Sequence, residues 1–239
     1  MKDNITERIF VNFGKHRKFI ARQELFNSKG KRLNVLFLPW HAGVKPYSWL
    51  IQRLVGKNQA VVVYFFADEI LSASAASVRD FYKQIEKEIP IRLSKIRGTY
   101  KYSQVRLIGI SLGNVALGVV ANVWHDFDSV IQVCTASSLA KSVWEGDRTV
   151  DIRHILETNN YSLGNIESSW KDVEPINNIE VFSNKPMTIV VSKTDTSIPS
   201  HLQWNYVNDA RAIGLRPKVK TSRLGHYGTI IKFCLIGKV

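Results

Sequence analysis

The chain has 239 residues, of which 45% are hydrophobic, and its formal net charge is +13 at pH 7. This composition is typical of a globular protein with a sizeable core, and no apolar run reaches the roughly 18 residues that a membrane-spanning helix needs. The first residues lack the apolar segment of a signal peptide, and the two cysteines, Cys134 and Cys234, lie far apart. We therefore expect a cytoplasmic protein without a disulfide framework, metal site or cofactor.

The positive charge is spread along the chain and is not gathered in one motif. No stretch interleaves aromatic and basic side chains as an RNA-binding motif does. A basic surface does favour encounters with anionic molecules. We therefore expect a small-molecule substrate and no nucleic acid partner, and the sequence leaves the oligomeric state open.

Taken in chain order, the apolar patterns predict alternating strands and helices after an initial hairpin. Residues 7–13 and 18–26 predict an antiparallel hairpin, and 34–39 a short buried strand. Further strands are predicted over 59–66, 105–110, 129–136, 187–192 and 218–224, and helices over 47–55, 75–97, 114–124, 200–213 and 229–236. The helix over 75–97 is expected to be interrupted near Pro90, since proline lacks the backbone N–H.

This alternation predicts a single α/β domain over 1–239, with a mostly parallel central sheet and helices on both faces. Residues 137–185 differ from the rest because they are polar and lack long apolar runs. They leave the strand that follows the 114–124 helix, at the carboxyl edge of the sheet where ligands bind in such folds. We expect this segment to be a lid or cap, and a plain surface insertion is the alternative.

The pentapeptide Gly109-Ile110-Ser111-Leu112-Gly113 follows a predicted strand and leads directly into a predicted helix. The G-x-S-x-G spacing occurs by chance in many proteins, but this strand–turn–helix setting is that of a nucleophile elbow. The glycines leave room for a sharp turn and for close packing of helix on strand. The helix start offers free N–H groups to a developing negative charge.

With these residues the chain resembles the α/β-hydrolase superfamily over most of 34–236. The resemblance implies the α/β-hydrolase fold and a catalytic triad in the order serine, acid, histidine, with Ser111 as nucleophile. The acid would be Asp195, just past the strand over 187–192, and the base would be His226, in a glycine-flanked loop before the last helix. The alternatives are a turn or capping aspartate and an exposed loop histidine. None of the five other histidines combines the same order with the same setting.

The resemblance also implies an oxyanion hole with two backbone donors, the N–H of Leu112 and that of Ala42. Trp40 and His41 are alternatives to Ala42, and we expect His41 to shape the loop and not to catalyse. The run over 36–43 is similar to the Phe-Pro-His-Ala-Gly segment of type II thioesterases, with Trp40 as an extra residue. Those enzymes usually have a histidine where this chain has Ile110, so the similarity is partial.

The sequence therefore predicts a serine hydrolase that cleaves a carboxylic ester or thioester through an acyl-enzyme on Ser111. One alternative is an acyl-thioesterase whose basic surface attracts CoA or an acidic carrier protein. Another is a non-catalytic relative that only binds. Dehalogenase chemistry is disfavoured, because those enzymes carry an aspartate at the elbow.

Overall fold

A computed structural model describes residues 4–13, 16–40 and 58–236 of the chain. The strands are β1 (Asn4–Phe13), β2 (His16–Phe26), β3 (Arg32–Trp40), β4 (Gln59–Phe66), β5 (Gln104–Ile110), β6 (Ser129–Val133), β7 (Met187–Ser192) and β8 (Lys218–Ser222). The α-helices are α1 (Ala75–Thr99), α2 (Gly113–Ala121), α3 (Leu139–Glu145), α4 (Val150–Thr158), α5 (Leu163–Trp170), α6 (Ser200–Ala212) and α7 (Gly225–Ile236). The helix predicted over 47–55 lies outside the described residues.

The eight strands form one sheet in the order β1-β2-β4-β3-β5-β6-β7-β8. β2 pairs antiparallel with both β1 and β4, and every other neighbouring pair is parallel. The predicted entry hairpin and mostly parallel sheet are confirmed. Because β3 to β8 run in one direction, their carboxyl ends meet at one edge of the sheet, and the segments that follow them are brought together there.

The central strand β4 shows how one run of apolar residues forms two cores. Its side chains alternate between the faces of the sheet, since successive residues of a strand point to opposite sides. Val62, Tyr64 and Phe66 join the larger core, which α1, α2, α5 and α6 cover. Val61, Val63 and Phe65 join the smaller core on the other face, which includes side chains of α7. Helices thus cover both faces, as predicted.

The course of α1 at Pro90 and the end of β6 differ from the predictions. α1 runs without interruption through Pro90, whose ring is buried between Ile89 and Leu93 on the packed face of the helix. Proline removes one backbone hydrogen bond, and burial of the apolar side chains on both sides of it holds the helix together. β6 ends at Val133 and does not reach residue 136, because Cys134 turns into the left-handed region with a φ of 51°.

The polar segment over 137–185 contains α3, α4 and α5. It also contains four short 3-10 turns, at Asp147–Thr149, Lys171–Val173, Pro175–Asn178 and Glu180–Phe182. Its large apolar side chains join the main core, with Trp170 and Phe182 almost fully buried. The indole Nε1 of Trp170 donates to the carbonyl of Ala75 at 2.8 Å, which ties α5 to the start of α1. No helix within the described ranges is both long and apolar enough to cross a bilayer.

Candidate active site

Ser111 stands at the sharp turn between β5 and α2. Its φ is 53°, in the left-handed region that costs a residue with a Cβ about 1–2 kcal/mol. Backbone and side-chain hydrogen bonds hold this conformation: the N–H of Ser111 donates to the carbonyl of Val133 at 2.9 Å, and Asn114 donates to the Ser111 carbonyl from both its N–H and its amide, each at 2.9 Å. The surrounding structure therefore stabilises the strained turn that a nucleophile elbow needs.

The two motif glycines are required by close approach of the backbone. A Cβ at Gly113 would lie 2.0 Å from the carbonyl oxygen of Phe37 on β3, and a Cβ at Gly109 would lie 2.3 Å from the side-chain oxygen of Asn114. Contacts this short do not occur between non-bonded atoms. A methyl group at either position would push α2 away from the sheet and move Ser111.

Ser111 and Leu112 both line a cleft at the carboxyl edge of the sheet. The Ser111 side chain is largely buried, with the residue 8% exposed. Within the part of the chain that the structure describes, neither the Ser111 hydroxyl nor the Leu112 N–H has a hydrogen-bond partner. Both groups are thus available to a molecule in the cleft. The predicted second donor, Ala42, and its neighbour His41 lie outside the described residues, as does the side chain of Trp40.

Asp195 and His226 come together beside the same cleft, which His226 lines. Asp195 follows β7, and its Oδ2 lies 2.7 Å from Nδ1 of His226. The carboxyl side chain is fully buried and the imidazole is 10% exposed. With the proton on Nδ1, Nε2 is left with its lone pair as an acceptor. His226 lies in the first turn of α7, not in a loop ahead of the last helix as predicted, because that helix begins at Gly225.

The cleft itself is mostly apolar. It has a volume of about 760 Å³ including its open mouth. Its apolar lining comes from the end of β3, the loops after β4, β6 and β7, the turn into α2 and α2 itself, the segment 137–185, and α7. These side chains are Pro39, Leu71, Leu112, Val115, Ala136, Leu139, Val143, Pro175, Ile198, Tyr227 and Ile230. The apolar lining of the cleft and its position beside Ser111 suit an acyl chain or other small apolar group.

No family model and no curated protein matches the amino-acid sequence. Solved structures do match its fold. An acetyl xylan esterase from Paenibacillus sp. R4 superimposes with a TM-score of 0.67 at 10% identity, over 96% of this chain and 87% of the esterase. An esterase from Pyrococcus furiosus gives a TM-score of 0.63 at 8% identity, over 97% of this chain and 85% of that protein.

The acylaminoacyl peptidase of Pyrococcus horikoshii gives a TM-score of 0.66 at 10% identity, and 96% of this chain covers only 41% of the peptidase. This chain therefore spans less than half the length of that enzyme. These neighbours share the overall fold of the protein described here. The chain has the α/β-hydrolase fold. The fold class that the sequence resemblance predicts is thereby confirmed.

In this α/β-hydrolase fold, a buried glutamine supports the acid. The Asp195 carboxylate accepts from the N–H groups of Ser197 and Ile198 at 2.9 and 3.0 Å, and from the Gln203 amide at 2.9 Å. The same amide donates to the carbonyl of Ile198 at 2.7 Å, and its oxygen accepts from the N–H of Ser192 at 2.9 Å. Gln203 therefore links the end of β7, the acid loop and the carboxylate, which fixes the direction in which the carboxylate faces His226.

Gln203 is a functional candidate that our reasoning from the sequence missed. A signal was present, because residues 203, 206, 207 and 210 follow the i, i+3, i+4, i+7 spacing of a buried helix face. All four are buried on α6 in the structure. A glutamine on such a face requires partners for its amide, and Asp195, eight residues earlier, is a carboxylate that can accept from it.

Cys134 is the second buried neighbour of Asp195. Its Sγ, an Asp195 oxygen and a His226 nitrogen all lie within 4.8 Å of one another. Burial raises the pKa of the Cys134 thiol, and the nearby Asp195 charge raises it further. The thiol is therefore held protonated, as a hydrogen-bond donor toward Asp195. As the sequence predicts, Cys134 packs within an apolar cluster.

Three other histidines, His125, His154 and His201, do not line the cleft. His125 follows α2, and His154 lies on α4. His201 is on α6, where its Nε2 lies 2.8 Å from Glu145. This exposed contact joins α6 to α3 on the surface and has no access to Ser111.

Proposed function

We propose that the protein is a serine hydrolase that cleaves a carboxylic ester or thioester through an acyl-enzyme on Ser111. The observation that carries this proposal is the 2.7 Å contact of Asp195 with His226 in the cleft that Ser111 also lines. The esterases and the peptidase that share the fold are consistent with acyl-transfer chemistry. Their low identity means that the proposal rests on the site of this chain and not on theirs.

The reaction follows from the roles we propose for these groups. Nε2 of His226 accepts the Ser111 proton as the hydroxyl oxygen attacks the acyl carbon, and Asp195 stabilises the imidazolium that forms. The Leu112 N–H, and a second donor that the sequence predicts at Ala42, stabilise the negative oxygen of the tetrahedral intermediate. The intermediate collapses when His226 donates its proton to the leaving alcohol or thiol. Water, deprotonated by His226, then attacks the acyl-enzyme and releases the acid.

The segment 137–185 has a part in this proposal. It supplies Ser138, Leu139, Ser142, Val143 and Thr149 to the wall of the cleft. We propose that it acts as the cap that contacts the acyl group. Because its large side chains are buried in the main core, we expect specificity to come from the shape of this wall.

Labelling with a fluorophosphonate probe tests the proposal most directly. We expect the wild-type protein and a Ser103→Ala control to react, since Ser103 lies just before β5, at the opposite edge of the sheet. Ser111→Ala should be unreactive while keeping its fold. Hydrolysis of 4-nitrophenyl esters of increasing chain length should show the same dependence on Ser111. A folded wild-type protein that neither reacts nor hydrolyses would favour the non-catalytic binding alternative, and full esterase activity in Ser111→Ala would exclude the assignment of the nucleophile.

A thioesterase is the second candidate, and the apolar cleft within a chain of net charge +13 favours it. An acyl-CoA pairs an apolar acyl chain with several phosphate charges. We expect hydrolysis of acyl-CoA to weaken with rising salt if the basic surface attracts the phosphates, whereas hydrolysis of a neutral ester should not. Equal salt dependence for both substrates would argue against this candidate.

A further inference from the structure

Arg148 brings a positive charge to the mouth of an otherwise apolar cleft. Among the described residues that line the cleft, it is the only one with a permanently charged side chain. The other polar lining groups are serine and threonine hydroxyls, the phenol of Tyr227, the amide of Asn114 and the imidazole of His226. A permanent cation at the edge of an apolar site favours a substrate that has both an apolar part and an anionic part.

The Arg148 guanidinium has no carboxylate partner in the described part of the chain. Its carbon lies 5.1 Å from the centroid of the Tyr227 ring, on which it stacks. Arg92 and Arg97, by contrast, form ion pairs with acidic side chains. The N–H donors of Arg148 are therefore free for an anion, while the aromatic ring limits the positions that the guanidinium can take.

The backbone that carries Arg148 is anchored on both sides. On one side, the N–H of Asp147 donates to the carbonyl of Thr196 at 3.0 Å, and the Thr196 hydroxyl donates to the Asp147 carboxylate at 2.6 Å. On the other side, the buried hydroxyl of Thr149 donates to the carbonyl of Val143 at 2.8 Å. Arg148 is thus held by the loop that also carries Asp195, so its position relative to the candidate triad is determined by the fold.

The ring of Tyr227 connects the guanidinium of Arg148 to His226. In the reaction proposed above, His226 donates a proton to the departing oxygen or sulfur, so the leaving group must lie beside the imidazole. The ring of Tyr227 contacts the ring of His226 edge-on, with centroids 5.4 Å apart. Because Arg148 stacks on Tyr227 and lines the same cleft as His226, we expect its guanidinium to lie near the leaving group.

We propose that Arg148 binds an anionic group, a carboxylate or a phosphate, on the leaving alcohol or thiol of an acyl substrate. The inference rests on the proposed hydrolase function and names the substrate class of that same site. The apolar acyl part occupies the cleft, and the anion forms charge-assisted hydrogen bonds with the guanidinium at its mouth. The positive net charge of the chain assists the encounter.

Two matched pairs of substrates, all four with the same butyryl group, test this inference. The first pair is 4-acetylphenyl butyrate, which is neutral, and 4-carboxyphenyl butyrate, which is anionic. The second pair is the butyryl thioester of N-acetylcysteamine, which is neutral, and butyryl-CoA, which carries phosphates. kcat and KM are measured for the wild-type protein, Arg148→Gln and Arg148→Lys. The control is Arg79→Gln, which removes the same charge from the outer surface of α1, where Arg79 pairs with Asp80.

For Arg148→Gln we expect kcat/KM on the anionic member of a pair to fall about ten-fold or more, mainly through KM, with little change on the neutral member. Arg148→Lys should keep part of the preference, and Arg79→Gln should keep all of it. A loss confined to the carboxyphenyl ester assigns the site to a carboxylate, one confined to butyryl-CoA assigns it to a phosphate, and a loss on both shows that either anion is accepted.

The inference is overturned if Arg148→Gln changes the neutral and anionic members equally, or changes neither. This failure is distinct from failure of the proposed function. If the wild-type protein hydrolyses the neutral members through Ser111 without any effect of Arg148, the hydrolase function stands and the anion site does not. If none of the four substrates is hydrolysed, the hydrolase function fails and the inference fails with it. Thermal unfolding of each variant verifies that the fold is kept.

Discussion

The amide of Gln203 donates to Oδ2 of Asp195 at 2.9 Å, the same oxygen that faces Nδ1 of His226. Gln203 has no exposed surface and does not line the cleft. It therefore has no direct access to a substrate and acts on the proposed reaction through Asp195. Since the carboxylate must be held in the plane and direction that the imidazole requires, this buried amide is a positioning residue for the candidate triad.

Replacement of Gln203 by leucine is expected to lower kcat by roughly 10- to 100-fold with little change in KM, because the carboxylate loses a donor that orients it. Gln203→Glu should lower kcat further, since it places a second carboxylate against Asp195. Gln132→Leu is the matched control, because Gln132 is equally buried but accepts from the Tyr206 hydroxyl at 3.0 Å. Steady-state kinetics on a 4-nitrophenyl ester would measure these effects. An equal loss of kcat in Gln132→Leu would attribute the effect to general destabilisation.

Gly113→Ala is expected to destabilise the protein by about 3 kcal/mol or more, because the new methyl group would meet the backbone oxygen of Phe37, which no side-chain rotation can relieve. Gly98→Ala is the control: it lies in α1, and a Cβ there meets nothing within 4 Å. We expect that variant to be more stable by about 0.5–1 kcal/mol, since alanine favours the helix. Urea unfolding monitored by circular dichroism measures both changes, and similar values for the two variants would contradict the close packing of α2 on β3.

Glu174 provides a test by pH. It accepts hydrogen bonds from the N–H groups of Leu139 and Ala140 and from the Ser138 hydroxyl, at the start of α3. Burial raises the pKa of this carboxyl from 4.5 to about 7, although the two N–H groups lower it. The folded protein therefore binds more protons than the unfolded chain between pH 4.5 and 7. The stabilising contribution of Glu174 is complete below that window and is lost as the pH rises through it.

We expect the free energy of unfolding of the wild-type protein, relative to Glu174→Gln, to fall by up to roughly 3 kcal/mol as the pH rises from 4.5 to 8. Glutamine does not titrate, so the comparison isolates the carboxyl group. The exposed Glu157 on α4 supplies a control, Glu157→Gln, whose difference from wild type should show no such fall. Thermal and urea unfolding at several pH values provide the data, and a difference that stays constant with pH would be evidence against a raised pKa at Glu174.

Cys134 is expected to resist thiol reagents in the folded protein, because it is fully buried and its pKa is raised by burial and by Asp195. The native wild-type protein and Cys134→Ala should therefore release the same amount of chromophore from a disulfide reagent. After both proteins are unfolded in guanidinium chloride, the wild-type protein should release one more equivalent of chromophore per chain than Cys134→Ala. An extra equivalent from the native wild-type protein would mean that reagents reach the space beside Asp195.

The candidate triad was predictable because each member belongs to a local pattern. Ser111 lies between two glycines at a strand end, Asp195 follows an apolar strand, and His226 follows the last strand. In a parallel sheet, residues just past strand ends converge at one edge, so these positions imply proximity even though they are far apart in sequence. The hairpin, the parallel strands and the two-sided cover of helices were predictable from apolar periodicity for the same reason.

The supporting contacts were not predictable in that way. Gln203 reaches Asp195 only because α6 packs against β7, and Cys134 faces the same carboxylate only because its backbone turns at the end of β6. Proline in α1 was expected to interrupt the helix, and the packing of its neighbours prevents this. Tertiary burial outweighs a local preference of a few kcal/mol at each of these positions.

The sequence by itself determined the class of fold, because strand and helix patterning are local properties that repeat along the chain, and its resemblance to the α/β-hydrolase superfamily implied the order of serine, acid and histidine in the candidate triad. Only the tertiary structure decided which side chains surround these groups: the amide behind Asp195, the apolar wall supplied by 137–185, and Arg148 stacked on Tyr227 at the mouth of the cleft. These contacts join residues from separate helices and loops, and their distances follow from how the layers pack on the sheet.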